Sequence, residues 1–121
     1  MRSRQDICSI QEFRALLEYE RARVDRNEHV LSLIVFEVSE AESDGMSNTC
    51  LESSAARRVR CTDVIGWLDK RRLGIFLPDT PDEGAWRLAN DICQLVDLPT
   101  NSFKIYTYPS KGIITFLLRN F

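Results

Sequence analysis

With 121 residues, 44% of them hydrophobic and 28% charged, the chain is the size of one globular domain with a core of its own. Its 16 Lys and Arg against 18 Asp and Glu give a net charge of −2 and a pI near 5.4, so no positive field draws in a polyphosphate backbone and nucleic acid is set aside as a partner. No run reaches the roughly 18 apolar residues of a membrane span, and no apolar segment follows the basic N-terminus as in a secretion signal; a soluble, cytoplasmic protein without membrane insertion is expected.

Cys8, Cys50, Cys61 and Cys93 are far apart, with no Cys-x-x-Cys pair, and His29 is the one histidine. These spacings predict reduced, structural thiols, with no metal site, cofactor or activated nucleophile.

In chain order, Ser9-Ile10-Gln11-Glu12 is a capping box, and Phe13, Leu16, Leu17 and Val24 follow near one helical face, which predicts a helix over 10–26. VLSLIVFEV at 30–38 is almost continuous in strand formers, the pattern of a central strand covered on both faces. SEAESDGMSN at 39–48 is polar and acidic and reads as a loop. Leu51, Ala55, Ala56 and Val59 predict a helix over 49–60, with Arg57, Arg58 and Arg60 at the end that favours cations. Two apolar runs, 64–68 and 73–77, flank the charged turn Asp69-Lys70-Arg71-Arg72 and read as a hairpin. Pro78 closes the second strand, and Thr80-Pro81-Asp82-Glu83 supplies an N-cap, a first-turn proline and an acid for a helix over 81–96. Leu98 to Asn101 ends that helix, FKIYTY at 103–108 alternates as a half-buried strand, and 113–118 is one more strand candidate.

From residue 30 onward the order is strand, helix, strand, strand, helix, strand. This is the split βαβ (βαββαβ) arrangement of α+β, ferredoxin-like folds, with an antiparallel sheet, both helices on one face, and an extra N-terminal helix. The chain is expected to form a single domain over 1–121, with its core at about 10–108.

The stretch RCTDVIGWLDKRRLGIFLPDTPDEGAWRLANDI resembles the second half of a GGDEF domain, the palm of bacterial diguanylate cyclases. Arg60 and Asp63 fall on that family's R-x-x-D, Leu77-Pro78-Asp79-Thr80 on its L-P-x-T, Glu83, Ala85 and Ala89 on or near its helix pattern, and LSLIVFEVSE on its first palm strand. The resemblance is close over 60–95 and loose over 10–108. At the signature hairpin the chain departs from it: Asp69-Lys70-Arg71-Arg72-Leu73 stands where the family has Gly-Gly-Asp/Glu-Glu-Phe, so both glycines are gone and two acids have become arginines. Arginine cannot ligate a cation. Glu37 falls on the first metal aspartate of the family and Ser39 on the second acid of that strand. The elements F-K-x-x-N-D, G-H-x-x-G-D and L-T-G-L-x-N-R have no counterpart. The resemblance therefore implies a degenerate, non-catalytic domain in which Glu37, Ser39, Asp69, Lys70, Arg71 and Arg72 are vestigial active-site positions.

Arg60 and Asp63 are the surviving candidates, because in GGDEF domains this pair forms the inhibitory site for cyclic di-GMP. A guanidinium can fork onto guanine O6/N7 or a phosphate, and a carboxylate can accept from the N1 and N2 edge. Read without the resemblance, Arg60 ends a helix and Asp63 caps the turn, joined by an ion pair worth at most about 1 kcal/mol at the surface. Lys70, Arg71 and Arg72, together with Arg57 and Arg58, form either a small anion site or a charged tip that protects a strand end. Glu37 is either a relic ligand or a solvent-facing acid. Trp67 either covers a closed groove, meets a partner, or packs in the core. The functional readings are a cyclic di-GMP sensor in a bacterial signalling protein, or a ligand-free scaffold or homodimerisation module contacting another protein or domain, for instance in polysaccharide biosynthesis.

Overall fold

In the computed structural model the first helix is set by its capping box: the Ser9 N–H donates to Glu12 Oε1 at 2.8 Å and the Glu12 N–H donates to Ser9 Oγ at 3.2 Å. The structure describes residues 7–24, 30–38, 45–96 and 103–108. Its elements are β1 (Ile7–Cys8), α1 (Ile10–Val24), β2 (Leu31–Glu37), α2 (Gly45–Arg58), β3 (Val64–Asp69), β4 (Arg72–Pro78), α3 (Asp82–Val96) and β5 (Phe103–Tyr108). Ser39, His29, the loop expected before residue 45, the turn at 97–101 and the strand expected at 113–118 lie outside the described residues.

One sheet organises the rest, in the order β1-β3-β4-β2-β5. The last four strands pair antiparallel in the order of a split βαβ palm. β2 is central, and its residues from Leu31 to Phe36 are all buried, as the unbroken apolar run predicts. Its side chains divide by alternation. Ile34, Phe36 and Val38 join Leu51 and Ala55 of α2 and Ala85, Ala89, Ile92 and Cys93 of α3 in one core cluster. Leu31, Leu33 and Val35 join Phe13 and Leu17 of α1 in a second cluster on the opposite face. The two crossover helices thus share one face, and α1 covers the other.

Phe13 is fully buried above the paired glycines Gly66 and Gly74. A Cβ at Gly66 would lie 2.4 Å from the Phe13 ring, and one at Gly74 would lie 2.6 Å from it, so only glycine lets helix and hairpin approach this closely.

Three expectations need correction. The sheet is not wholly antiparallel, because Ile7 and Cys8 pair parallel with Ile65 and Gly66; a two-residue strand is too short to carry a periodic signal. α2 begins at Gly45 rather than 49 and ends at Arg58 rather than 60. Its opening is too polar to show amphipathic spacing, and the burial of Leu51 and Ala55 stabilises the helix as a whole. The hairpin turn is tighter than the four residues expected: Asp69 pairs with Arg72 across Lys70 and Arg71 alone, with a register shift between Trp67 and Asp69. The displaced residue, Leu68, buries its side chain against Phe13, and its carbonyl accepts from Arg14 Nε at 2.9 Å. Trp67 packs at the edge of the core and donates its indole N–H to Glu52 Oε2 at 2.6 Å.

Cys8 is half-buried, Cys61 is exposed and Cys93 is buried. Burial pushes the Cys93 thiol above its ordinary pKa. Among the described residues no helix is long and apolar enough to cross a membrane.

Candidate functional site

The candidate residues fall at opposite ends of the sheet. At one end, where β2 and β3 finish and β4 begins, sit Glu37, Asp69, Lys70, Arg71 and Arg72. Asp69 organises the turn: Oδ1 accepts the Arg71 N–H at 2.9 Å and Oδ2 accepts Arg72 Nε at 2.8 Å. Burial acts to raise its pKa, but the hydrogen bonds from Arg71 and Arg72 and the Arg72 charge outweigh it, and the net value lies below the usual carboxylate range. The Arg71 carbonyl accepts the Val38 N–H at 2.8 Å, tying the tip to the end of β2. Glu37 is exposed; Arg72 stands opposite it in register, and Lys104 Nζ lies 4.0 Å from its Oε2. Lys104 thus offsets part of the charge that this carboxylate would offer a divalent metal. Among the described residues no three or more of His, Cys, Asp and Glu gather in a way that could hold a metal ion.

The other end is built on Arg60 and Asp63, in the turn between α2 and β3. The Asp63 side chain is 1% exposed, while that of Arg60 is 58% exposed. Asp63 Oδ2 accepts the Arg60 backbone N–H at 2.8 Å, and Oδ1 accepts Arg60 Nη2 at 3.2 Å. The same Nη2 donates to Thr80 Oγ1 at 2.6 Å and to the Pro78 carbonyl at 3.2 Å. The Thr80 hydroxyl donates in turn to the Pro78 carbonyl at 3.0 Å, and the Thr80 carbonyl accepts from the buried Ser32 Oγ at 2.7 Å. The guanidinium therefore bridges the α2–β3 turn to the β4–α3 turn. The second turn depends on Asp79, whose φ of 54° is left-handed, a conformation that Asp tolerates better than most residues.

Beside this bridge lies a cleft of about 300 Å³, lined by Arg58, Arg60, Thr80, Gly84 and Leu88 among others. Asp63 and Asp79 line it as well, with Leu77 and Pro81, so its charged lining holds both signs. Arg57 and Arg58 belong to this end of the molecule. The expectation that they join Lys70, Arg71 and Arg72 in one anion site is wrong, because the six residues of β3, about 20 Å of strand, separate the two groups. Thr80 as a partner of Arg60, and Arg58 as part of the cleft, were not foreseen in these roles. The L-P-D-T turn was visible, but what it faces is set by tertiary structure.

The chain path matches known structures. The GGDEF domain of a Pseudomonas aeruginosa protein superposes with a TM-score of 0.68 at 15% identity, covering 94% of this chain and 84% of that one. The fold is that of a GGDEF domain. A DGC protein from Thermotoga maritima gives a TM-score of 0.73 at 16% identity with 96% of both chains covered. A sensory box/GGDEF family protein from Caulobacter crescentus gives 0.63 at 15% identity, over 96% of this chain and 88% of that one. No protein-family model and no curated protein matches the sequence. Asp69-Lys70-Arg71-Arg72-Leu73 lies at the β3–β4 tip, and Arg60 and Asp63 lie in the turn between α2 and β3.

Proposed function

We propose that the chain is a non-catalytic GGDEF-like regulatory domain of a bacterial signalling protein, and that it takes cyclic di-GMP in the cleft beside Arg60. The observation that carries the first part is the charge at the hairpin. Arg71 and Arg72 stand where acids would bind the metals, Asp69 spends both carboxylate oxygens on its own turn, and Glu37 lies between Arg72 and Lys104. The cleft supports the second part. Arg60, with its side chain more than half exposed, and Arg58, which lines the same cleft, offer forked donors for a phosphate or a guanine edge. Asp63, which also lines the cleft, is 1% exposed and holds the Arg60 guanidinium in place. Residue 39 is a serine, which adds no second acid to the strand that ends at Glu37.

Two assays test this. With magnesium and GTP the domain turns over no nucleotide; formation of cyclic di-GMP would refute the first part. Cyclic di-GMP at 100 times its dissociation constant adds about 2.7 kcal/mol to stability, read as a raised Tm. A second reading, a ligand-free scaffold or dimerisation module, is favoured by the burial of Asp63 and by the internal partners that Arg60 already has. An unchanged Tm in a folded domain selects it.

A further inference from the structure

Thr80 reads from the sequence as the N-cap of α3, yet its side chain serves the cleft that it lines. Its hydroxyl oxygen accepts from Arg60 Nη2 at 2.6 Å, closer than the 3.2 Å contacts of the same nitrogen with Asp63 Oδ1 and the Pro78 carbonyl. The hydroxyl proton goes to that Pro78 carbonyl at 3.0 Å. A hydroxyl that donates to one partner turns its lone pairs to the other, so Pro78 fixes the direction from which the guanidinium is held.

The methyl group of Thr80 sets the same direction from the other side. A Cβ at Gly84 would lie 3.0 Å from Thr80 Cγ2, so the methyl rests over the first turn of α3. A β-branched side chain has few χ1 positions, and with the methyl seated there the hydroxyl is left facing Arg60. The backbone of the turn is anchored as well. Thr80 is 9% exposed, and its carbonyl accepts from Ser32 Oγ at 2.7 Å. Ser32 is fully buried in the apolar run of β2, with its hydroxyl 3.1 Å from Thr107 Oγ1 of β5. Burying an unbonded hydroxyl is costly, so the bond from Ser32 keeps the Thr80 peptide where it is. Fixing a long side chain at the moment of binding costs affinity, and a side chain fixed beforehand avoids that loss.

We infer that Thr80 is a positioning residue of the cleft: its hydroxyl, aimed by Pro78 and Gly84 and anchored through Ser32, sets the Arg60 guanidinium in the orientation that receives a phosphate or a guanine edge. This rests on the reading of the cleft as a site for cyclic di-GMP. Asp63 supplies charge to the arginine, and Thr80 supplies direction.

Two substitutions at Thr80 separate direction from packing. Thr80→Val keeps the shape and removes the hydroxyl, whereas Thr80→Ser keeps the hydroxyl and removes the methyl. In calorimetric titration of cyclic di-GMP into the full chain, Thr80→Val raises the dissociation constant about tenfold, equivalent to about 1.4 kcal/mol, in a protein whose circular dichroism matches the parent. Thr80→Ser stays within about threefold of the parent, because the hydrogen bond is retained. Parent-like affinity in Thr80→Val, or an equal loss in both variants, would overturn the inference. Absence of binding by the parent would instead refute the ligand of the cleft, and a second readout then decides the role of Thr80 without any ligand. Phenylglyoxal modifies arginine side chains, and peptide mapping follows the modification of Arg60. Release of the guanidinium in Thr80→Val speeds its modification about threefold, while Thr80→Ser reacts at the parent rate. Equal rates in the parent and both variants would overturn the inference.

Discussion

A methyl group at Gly66 tests the packing that joins α1 to the sheet. In an ordinary strand Gly→Ala is neutral or stabilising by roughly 0.5–1 kcal/mol, because glycine loses the most backbone freedom on folding. No glycine described here has a positive φ, so backbone strain does not oppose the change. Contact does. A Cβ at Gly66 lies 2.4 Å from Phe13 Cδ1 and Cγ and 2.5 Å from Phe13 Cβ, so rotating the ring cannot relieve it and α1 must shift. Overpacking costs about 1–3 kcal/mol, and loss of a buried Phe about 3–5 kcal/mol. Gly66→Ala is therefore expected to cost about 3 kcal/mol by urea denaturation. That is a large share of the about 5–15 kcal/mol available to a domain. Once Phe13→Ala has removed the ring, adding Gly66→Ala costs much less than it does alone. A Gly66→Ala variant within about 0.5 kcal/mol of the parent, or full additivity in the double variant, would refute the reasoning.

Asp69→Asn flattens the acid limb of the stability curve. The folded pKa of Asp69 lies below its unfolded value of about 3.9, so its contribution is present above that value and is lost as pH falls through the folded one; urea midpoints between pH 5 and pH 2 measure this. Asp63→Ala costs about 1–3 kcal/mol, because the Arg60 N–H loses its acceptor, whereas Arg60→Ala costs less, since its side chain is mostly exposed; chemical denaturation of both ranks them. Iodoacetamide labels the exposed Cys61 in the native protein and reaches the buried Cys93, with its raised thiol pKa, only on unfolding, as peptide mapping would show.

The palm was legible where sequence pattern and burial coincide. The run through β2 announced a strand covered on both faces, and Ala85, Ala89 and Ile92 announced the buried side of α3. β1 was not legible, since two residues have no periodicity and their pairing to β3 is a matter of tertiary structure. The first turns of α2 read as loop for the same reason. At the candidate site the spacing of Arg60 and Asp63 was visible, but not that Asp63 is buried or that Pro78 and Thr80 converge on the guanidinium, because those contacts join turns about 20 residues apart in sequence. Grouping Arg57 and Arg58 with the hairpin arginines ignored the direction of β3, which carries the chain from one end of the sheet to the other.

Calorimetric titration of cyclic di-GMP into the domain, beside Arg60→Ala and with GTP and magnesium as control, tests the central claim most directly. Micromolar binding of cyclic di-GMP that Arg60→Ala removes, with no turnover of GTP, is the predicted result. Heat from cyclic di-GMP that Arg60→Ala leaves intact, or no heat at all from a folded domain, would contradict it.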